Sequence, residues 1–183
     1  MPAFSLTTPR LARLALAAAV AVAVALPAVG QQLPVAKAQL KDRDGNVVGN
    51  AMLTETPAGV LLNVRLAGLP PGPHAFHIHA TGTCEPPFKS AGGHLSEPDT
   101  AHGYLSANGP HLGDMPNIHM PQNGELQLEI MTPVTNMDSQ LFDADGAALV
   151  IHEGADDYRS QPAGAAGERI ACGVIERQTQ QAL

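Results

Sequence analysis

Apolar and polar positions alternate in short runs beyond residue 34. In residues 35–40, Ala36, Ala38 and Leu40 share one face and Val35, Lys37 and Gln39 the other. That period of two predicts a strand with one buried side. Asp42-Arg43-Asp44-Gly45-Asn46 follows as a hairpin turn, with a glycine available for positive φ. A return strand is expected over 47–54 and, after Pro57-Ala58-Gly59, a third over 60–66. Leu69-Pro70-Pro71-Gly72-Pro73 breaks the pattern, and 74–80 reads as the fourth strand. Strands over 114–120 and 125–131 flank the turn Gln122-Asn123-Gly124, and strands over 147–152 and 170–175 complete the set of eight. Only 135–142 is expected to hold a helical turn. Short strands with turn signals at this spacing predict an all-β antiparallel sandwich or barrel.

Two stretches have no period: 81–113, where Gly, Pro, Ser and His dominate, and the polar loop 153–168. Aperiodic loops of this length in a compact domain are usually functional or disordered. The histidines of the first loop favour function. The first thirty residues also stand apart. Arg10 and Arg13 precede an unbroken apolar run at 14–26, followed by Pro27-Ala28-Val29-Gly30. This predicts a signal peptide over 1–30, cleaved after Gly30, and a single mature domain over 31–183. The thirteen apolar residues fall short of the roughly 20 that span a bilayer, so no membrane anchor is expected after cleavage.

The charge of the whole chain is −7, and losing Arg10 and Arg13 with the leader takes it to −9. An acidic surface argues against nucleic acid as a partner. The two cysteines, Cys84 and Cys172, read as a disulfide in an exported chain.

The histidines change the picture most. His77 and His79 lie two apart on a predicted strand, so both side chains leave the same face, while Phe76 and Ile78 point into the core. His152 ends another strand. His94 follows two glycines, and His102, His111 and Asp114 come after it at spacings of eight, nine and three. Three imidazoles with one carboxylate suit tetrahedral zinc, and an all-imidazole site suits copper among other metals. His74 and His119 read as ordinary residues outside this set. On spacing alone, a single zinc that pins the loop remains an alternative.

Several segments together resemble the copper/zinc superoxide dismutases, in particular the bacterial exported type. They are His74-Ala75-Phe76-His77-Ile78-His79, Ser90-Ala91-Gly92-Gly93-His94, His111-Leu112-Gly113-Asp114-Met115-Pro116-Asn117, 151–158 and 167–175. They occur in order across nearly all of the expected mature chain. The resemblance implies an eight-stranded antiparallel Greek-key β-barrel with two long functional loops. It implies copper bound by His77, His79, His94 and His152, and zinc bound by His94, His102, His111 and Asp114. His94 would bridge the metals through its two ring nitrogens. Asp156 would hold one histidine of each site, and Cys84–Cys172 would tie the zinc loop to the last strand. Arg169 would stand beside the copper.

The implied reaction is the disproportionation of superoxide in the periplasm, by alternate reduction and oxidation of copper. Arg169 would draw in the anion, and His94 would carry a proton. Such proteins occur as monomers or as a homodimer. Ala75, Ala80, Leu95, Ser96 and Glu168 depart from the family's usual residues, and none of them removes a metal ligand. The alternative reading is a non-enzymatic copper- or zinc-binding module of the same fold.

Overall fold

The structure, a computed structural model, describes residue 33 and residues 35–178. The expected signal peptide at 1–30 lies outside the described residues. Ten strands run antiparallel: β1 Val35–Asp42, β2 Val47–Thr56, β3 Gly59–Ala67, β4 Gly72–His74, β5 Phe76–His79, β6 Ile118–Met120, β7 Glu125–Met131, β8 Ala148–His152, β9 Arg169–Val174 and β10 Glu176–Arg177. The helical turn expected over 135–142 is α1, Met137–Gln140. Asn136 caps it, its side chain accepting from Ser139 N at 2.9 Å.

The main sheet has the order β5-β8-β9-β1-β2-β3-β7, and β10 continues the pairing along β1. β4 pairs with β6 in a separate ladder. β4 runs into β5 through Ala75, and β6 runs into β7 through the turn at 121–124. The small ladder therefore joins the two ends of the large one, and the sheet curls into a β-barrel. Counting β4/β5 and β9/β10 as interrupted strands leaves the eight that the sequence predicts. Non-consecutive strands pair at β5–β8, β1–β9 and β3–β7, the mark of Greek-key connection.

The period of two decides what fills the barrel. Leu40, Leu53, Leu62, Val64, Phe76, Ile78, Leu149 and Ile151 are fully buried. They form one cluster with Met115, Val134 and Leu141. Lys37, Gln39, Lys41, Asn50 and Arg65 alternate with them on the exposed side. Each fully buried Leu, Ile or Phe contributes about 1.5–3 kcal/mol.

The expected strand over 114–120 contracts to Ile118–Met120. Asp114 turns its carboxylate inward, where it accepts from His111 N at 3.0 Å and Gly103 N at 2.8 Å. Pro116 has no N–H to give a ladder. The residues before Ile118 instead serve the long loop. That loop covers the outer edge of β5, with Ile78 N donating to Gly113 O, Leu95 N to Ile78 O and Ala80 N to Gly93 O, each at 2.9 Å. Gly113 is required there, because a side-chain carbon at that position would overlap Ile78 O.

Cys84 and Cys172 form a disulfide across a sequence separation of 88, fastening the same loop to β9. Replacing both with alanine is expected to lower the unfolding free energy by about 4 kcal/mol, measured by urea unfolding of the metal-free protein. A loss below about 1 kcal/mol would show that other contacts hold the loop.

Candidate metal centre

Two strands and one loop bring the histidines together. β5 carries His77 and His79, and β8 delivers His152 beside them, with Phe76 opposite Ile151 in the ladder. Ala75, at the break between β4 and β5, aligns the two strands. Its N–H donates to Gly154 O at 2.7 Å and its carbonyl accepts from His152 N at 2.9 Å. The loop adds His94 by an isolated backbone bridge to His79, and Asp114 by another to His77. One donor atom from each of His77, His79, His94 and His152 lies within 4.8 Å of the others. The same holds for His94, His102, His111 and Asp114, so the two groups share His94. All are buried except His111, which is half-buried.

The far side of each ring is held, and this aims the near side. Asp156 accepts from His77 Nε2 at 2.8 Å with one oxygen and from His102 Nε2 at 2.9 Å with the other. His79 Nδ1 donates to Gly92 O at 3.0 Å, and His152 Nδ1 faces Gly167 O at 3.4 Å. Partners of this kind fix ring orientation in metal sites. Among the described residues, five side-chain nitrogens are then left buried with no hydrogen-bond partner: His77 Nδ1, His79 Nε2, His94 Nε2, His111 Nδ1 and His152 Nε2. Buried polar atoms are rarely left this way because it costs free energy. Those of His77, His79, His94 and His152 belong to the all-imidazole group, which fits copper, and that of His111 belongs to the other group. His94 Nδ1, 2.8 Å from Asp114 Oδ1, turns instead to the group of three imidazoles and a carboxylate, which fits zinc.

The electrostatics favour neutral imidazoles. Burial pushes His77 down to about 4, against an opposing pull from the Asp156 hydrogen bond. Burial pushes His152 to about 3 and His79 to about 2, with neighbouring histidines and Arg169 adding to it. Burial alone would raise Asp156, but hydrogen bonds from His77, His102 and Tyr158 N bring it down to about 2. Burial would likewise raise Asp114. The His94 bond and the N–H groups of Gly103 and His111 outweigh it and hold the carboxyl well below its usual range. At neutral pH the chain therefore offers free imidazole lone pairs and ionised carboxylates.

Arg169 opens β9 and reaches back to the loop, with Nη1 donating to Phe88 O and Nη2 to Gly92 O, each at 2.6 Å. The Gly92 carbonyl thus holds both Arg169 and His79. Burial lowers the guanidinium's pKa, yet arginine stays charged at any ordinary pH.

Several supporting residues escape a reading by spacing. His74 is not an ordinary solvated residue. It is buried, and its ring spans His152 O and Pro70 O at 2.8 Å each, bracing the end of β8. Asn117 clamps the Asp156 main chain, Nδ2 donating to Asp156 O at 2.9 Å and Oδ1 accepting from Asp156 N at 2.8 Å. Tyr104 donates to Asp114 O at 2.8 Å. Gly164 leaves room for the Asp156 carboxylate, which a side-chain carbon there would overlap. Of these, only His74 and Asn117 fall within the quoted segments, and none has a metal-binding side chain in a recognisable spacing.

A curled antiparallel barrel whose long loop joins two histidine-rich centres through one shared ring defines a class, the two-metal β-barrel proteins. Comparison with known proteins narrows it. The family model for copper/zinc superoxide dismutase matches residues 47–175. A copper–zinc superoxide dismutase of Aquifex aeolicus is 49% identical over 146 residues, covering 76% of this chain and 85% of that protein. One from Caulobacter vibrioides is 43% identical over 148 residues, covering 77% and 85%. The crystal structure of a superoxide dismutase-like protein from Bacillus subtilis superposes with a TM-score of 0.72 at 35% identity, covering 75% of this chain and 96% of that one. The chain belongs to the copper/zinc superoxide dismutase family.

The depressed histidines make a testable stability profile for the metal-free protein. Unfolded histidine takes a proton near 6.5, whereas folded His77 does so only near 4 and His152 near 3. Between those values the unfolded chain binds more protons, so stability is full above pH 6.5 and falls as the pH drops toward 4. Each such histidine adds a slope of about 1.4 kcal/mol per pH unit. Urea midpoints measured from pH 8 to pH 4.5 should decline below 6.5, and a flat profile would contradict neutral burial of these rings.

Proposed function

We propose that this chain disproportionates superoxide to dioxygen and hydrogen peroxide, with His77, His79, His94 and His152 holding copper and His94, His102, His111 and Asp114 holding zinc. The observation that carries the reading is the pair of donor groups joined at His94. Bound copper supplies the alternating one-electron oxidation and reduction that disproportionation requires, while zinc has no redox chemistry.

The chain's own residues do the rest. Arg169 places a fixed positive charge beside the copper ligands and draws in the anionic substrate. Its two carbonyl bonds hold the guanidinium in place and leave further N–H groups to meet superoxide. A local cationic focus of this kind raises association rates by about 10 to 10³ even on an anionic protein. His94 is the proton carrier, because its Nε2 faces the copper donors while its Nδ1 stays with the zinc set. Holding a proton at Nε2 between the half-reactions lets His94 deliver it to the peroxide product. Asp156 couples the two groups by fixing His77 and His102 with one carboxylate.

The mature domain is assigned to the periplasm and begins after Gly30. The N-terminal pattern and a disulfide suited to an oxidising compartment support this.

Two substitutions test the roles. His152→Ala should abolish copper-dependent activity and leave zinc bound, by metal analysis and superoxide decay; loss of zinc as well would refute the partition of ligands. Arg169→Ala should lower kcat/KM by about tenfold at low salt with both metals retained, and unchanged kinetics would remove its steering role.

A further inference from the structure

The turn between β1 and β2 reaches the main chain of Arg169. Arg43 lies in it, 126 positions from Arg169 in sequence. The turn is rigid, because the Asp42 carboxylate accepts from Asp44 N at 3.0 Å, Asn46 N at 2.8 Å and Asn46 Nδ2 at 2.9 Å. β1 and β9 pair last at Asp42 and Ala171. Beyond that point the Arg43 side chain continues the bonding to β9. Its Nε donates to Arg169 O at 2.8 Å, and its Nη2 pairs with Glu168 Oε2 at 2.7 Å.

Glu168 immediately precedes Arg169 in the chain. Its side chain is 66% exposed and that of Arg43 is 39% exposed. A pair this exposed adds little to folding stability. Its consequence is electrostatic. An uncompensated carboxylate beside Arg169 would weaken the cationic focus that this arginine presents to an anion. We propose that Arg43 is a positioning residue for the substrate's entrance: it neutralises Glu168 and fixes the Arg169 main chain, so that Arg169 acts on superoxide with its full charge.

This inference rests on the superoxide reading of the same site. The test compares the copper- and zinc-loaded parent with Arg43→Ala, Arg43→Lys and the double variant Arg43→Ala/Glu168→Gln. At roughly 0.01 M salt, where charges act over about 30 Å, Arg43→Ala should lower kcat/KM for superoxide by about threefold. The deficit should shrink as salt approaches about 1 M. The double variant should recover most of the rate, and Arg43→Lys should fall between. Azide titrated against the copper absorption band reads the same field without turnover, and its affinity should drop in parallel. The proposal is overturned if Arg43→Ala matches the parent at low salt, if its deficit ignores salt, or if Glu168→Gln fails to restore it. A loaded parent that leaves superoxide untouched would refute the functional reading instead, and azide affinity would still decide whether Arg43 governs anion access.

Discussion

One imidazole, His94, has to serve two donor groups at once, and the surrounding structure is arranged to allow it. Its Nδ1 meets Asp114 while its Nε2 is buried without a partner among the other three imidazoles. A ring can face both ways only if its main chain is placed closely, which explains the isolated bridge to His79 and the two glycines before it. Asp156 imposes the complementary constraint. By binding the outer nitrogens of His77 and His102, it turns the inner nitrogen of each toward its own group. A shift in Asp156 would misalign both centres together, so Asn117 and Gly164 matter although neither touches a donor atom of the metal groups.

The barrel supplies rigidity where the loop has little of its own. Loop 81–113 carries half the site, but its only regular piece is a single 3-10 turn at Lys89–Ala91. Its shape comes from bonds to neighbours: the β5 edge, the Cys84–Cys172 bridge and the Arg169 side chain on Phe88 O and Gly92 O. The same guanidinium that anchors the loop is the one we propose to present charge to the substrate. The chain is acidic overall, so the proposed steering rests on the local arrangement around Arg169, including the Arg43–Glu168 pair beside it.

The strands were largely legible because alternation is a local signal. Strand β7 has the predicted bounds, since Glu125, Gln127 and Glu129 alternate with Leu126, Leu128 and Ile130. Residues 114–117 read as strand because they lead through Ile118–Met120 to the hairpin turn at 122–124, yet Asp114 is drawn to the histidines by tertiary bonds that periodicity does not encode. The histidine grouping was visible through residue type and spacing, helped by the family resemblance. His74 was not, because its ring lies between backbone carbonyls, one of them 78 positions away. Arg43 was hidden for the same reason: a turn arginine reads as solvated until its partners, Glu168 and the Arg169 carbonyl at the start of β9, are known.

The shared ring is tested most directly by a crystal structure of the copper- and zinc-loaded protein, with anomalous scattering recorded at both metal edges. The expected result is a copper peak among His77, His79, His94 and His152, and a zinc peak among His94, His102, His111 and Asp114. Each peak should fall beside a different nitrogen of His94. A single metal, or two metals of which only one reaches His94, would contradict it.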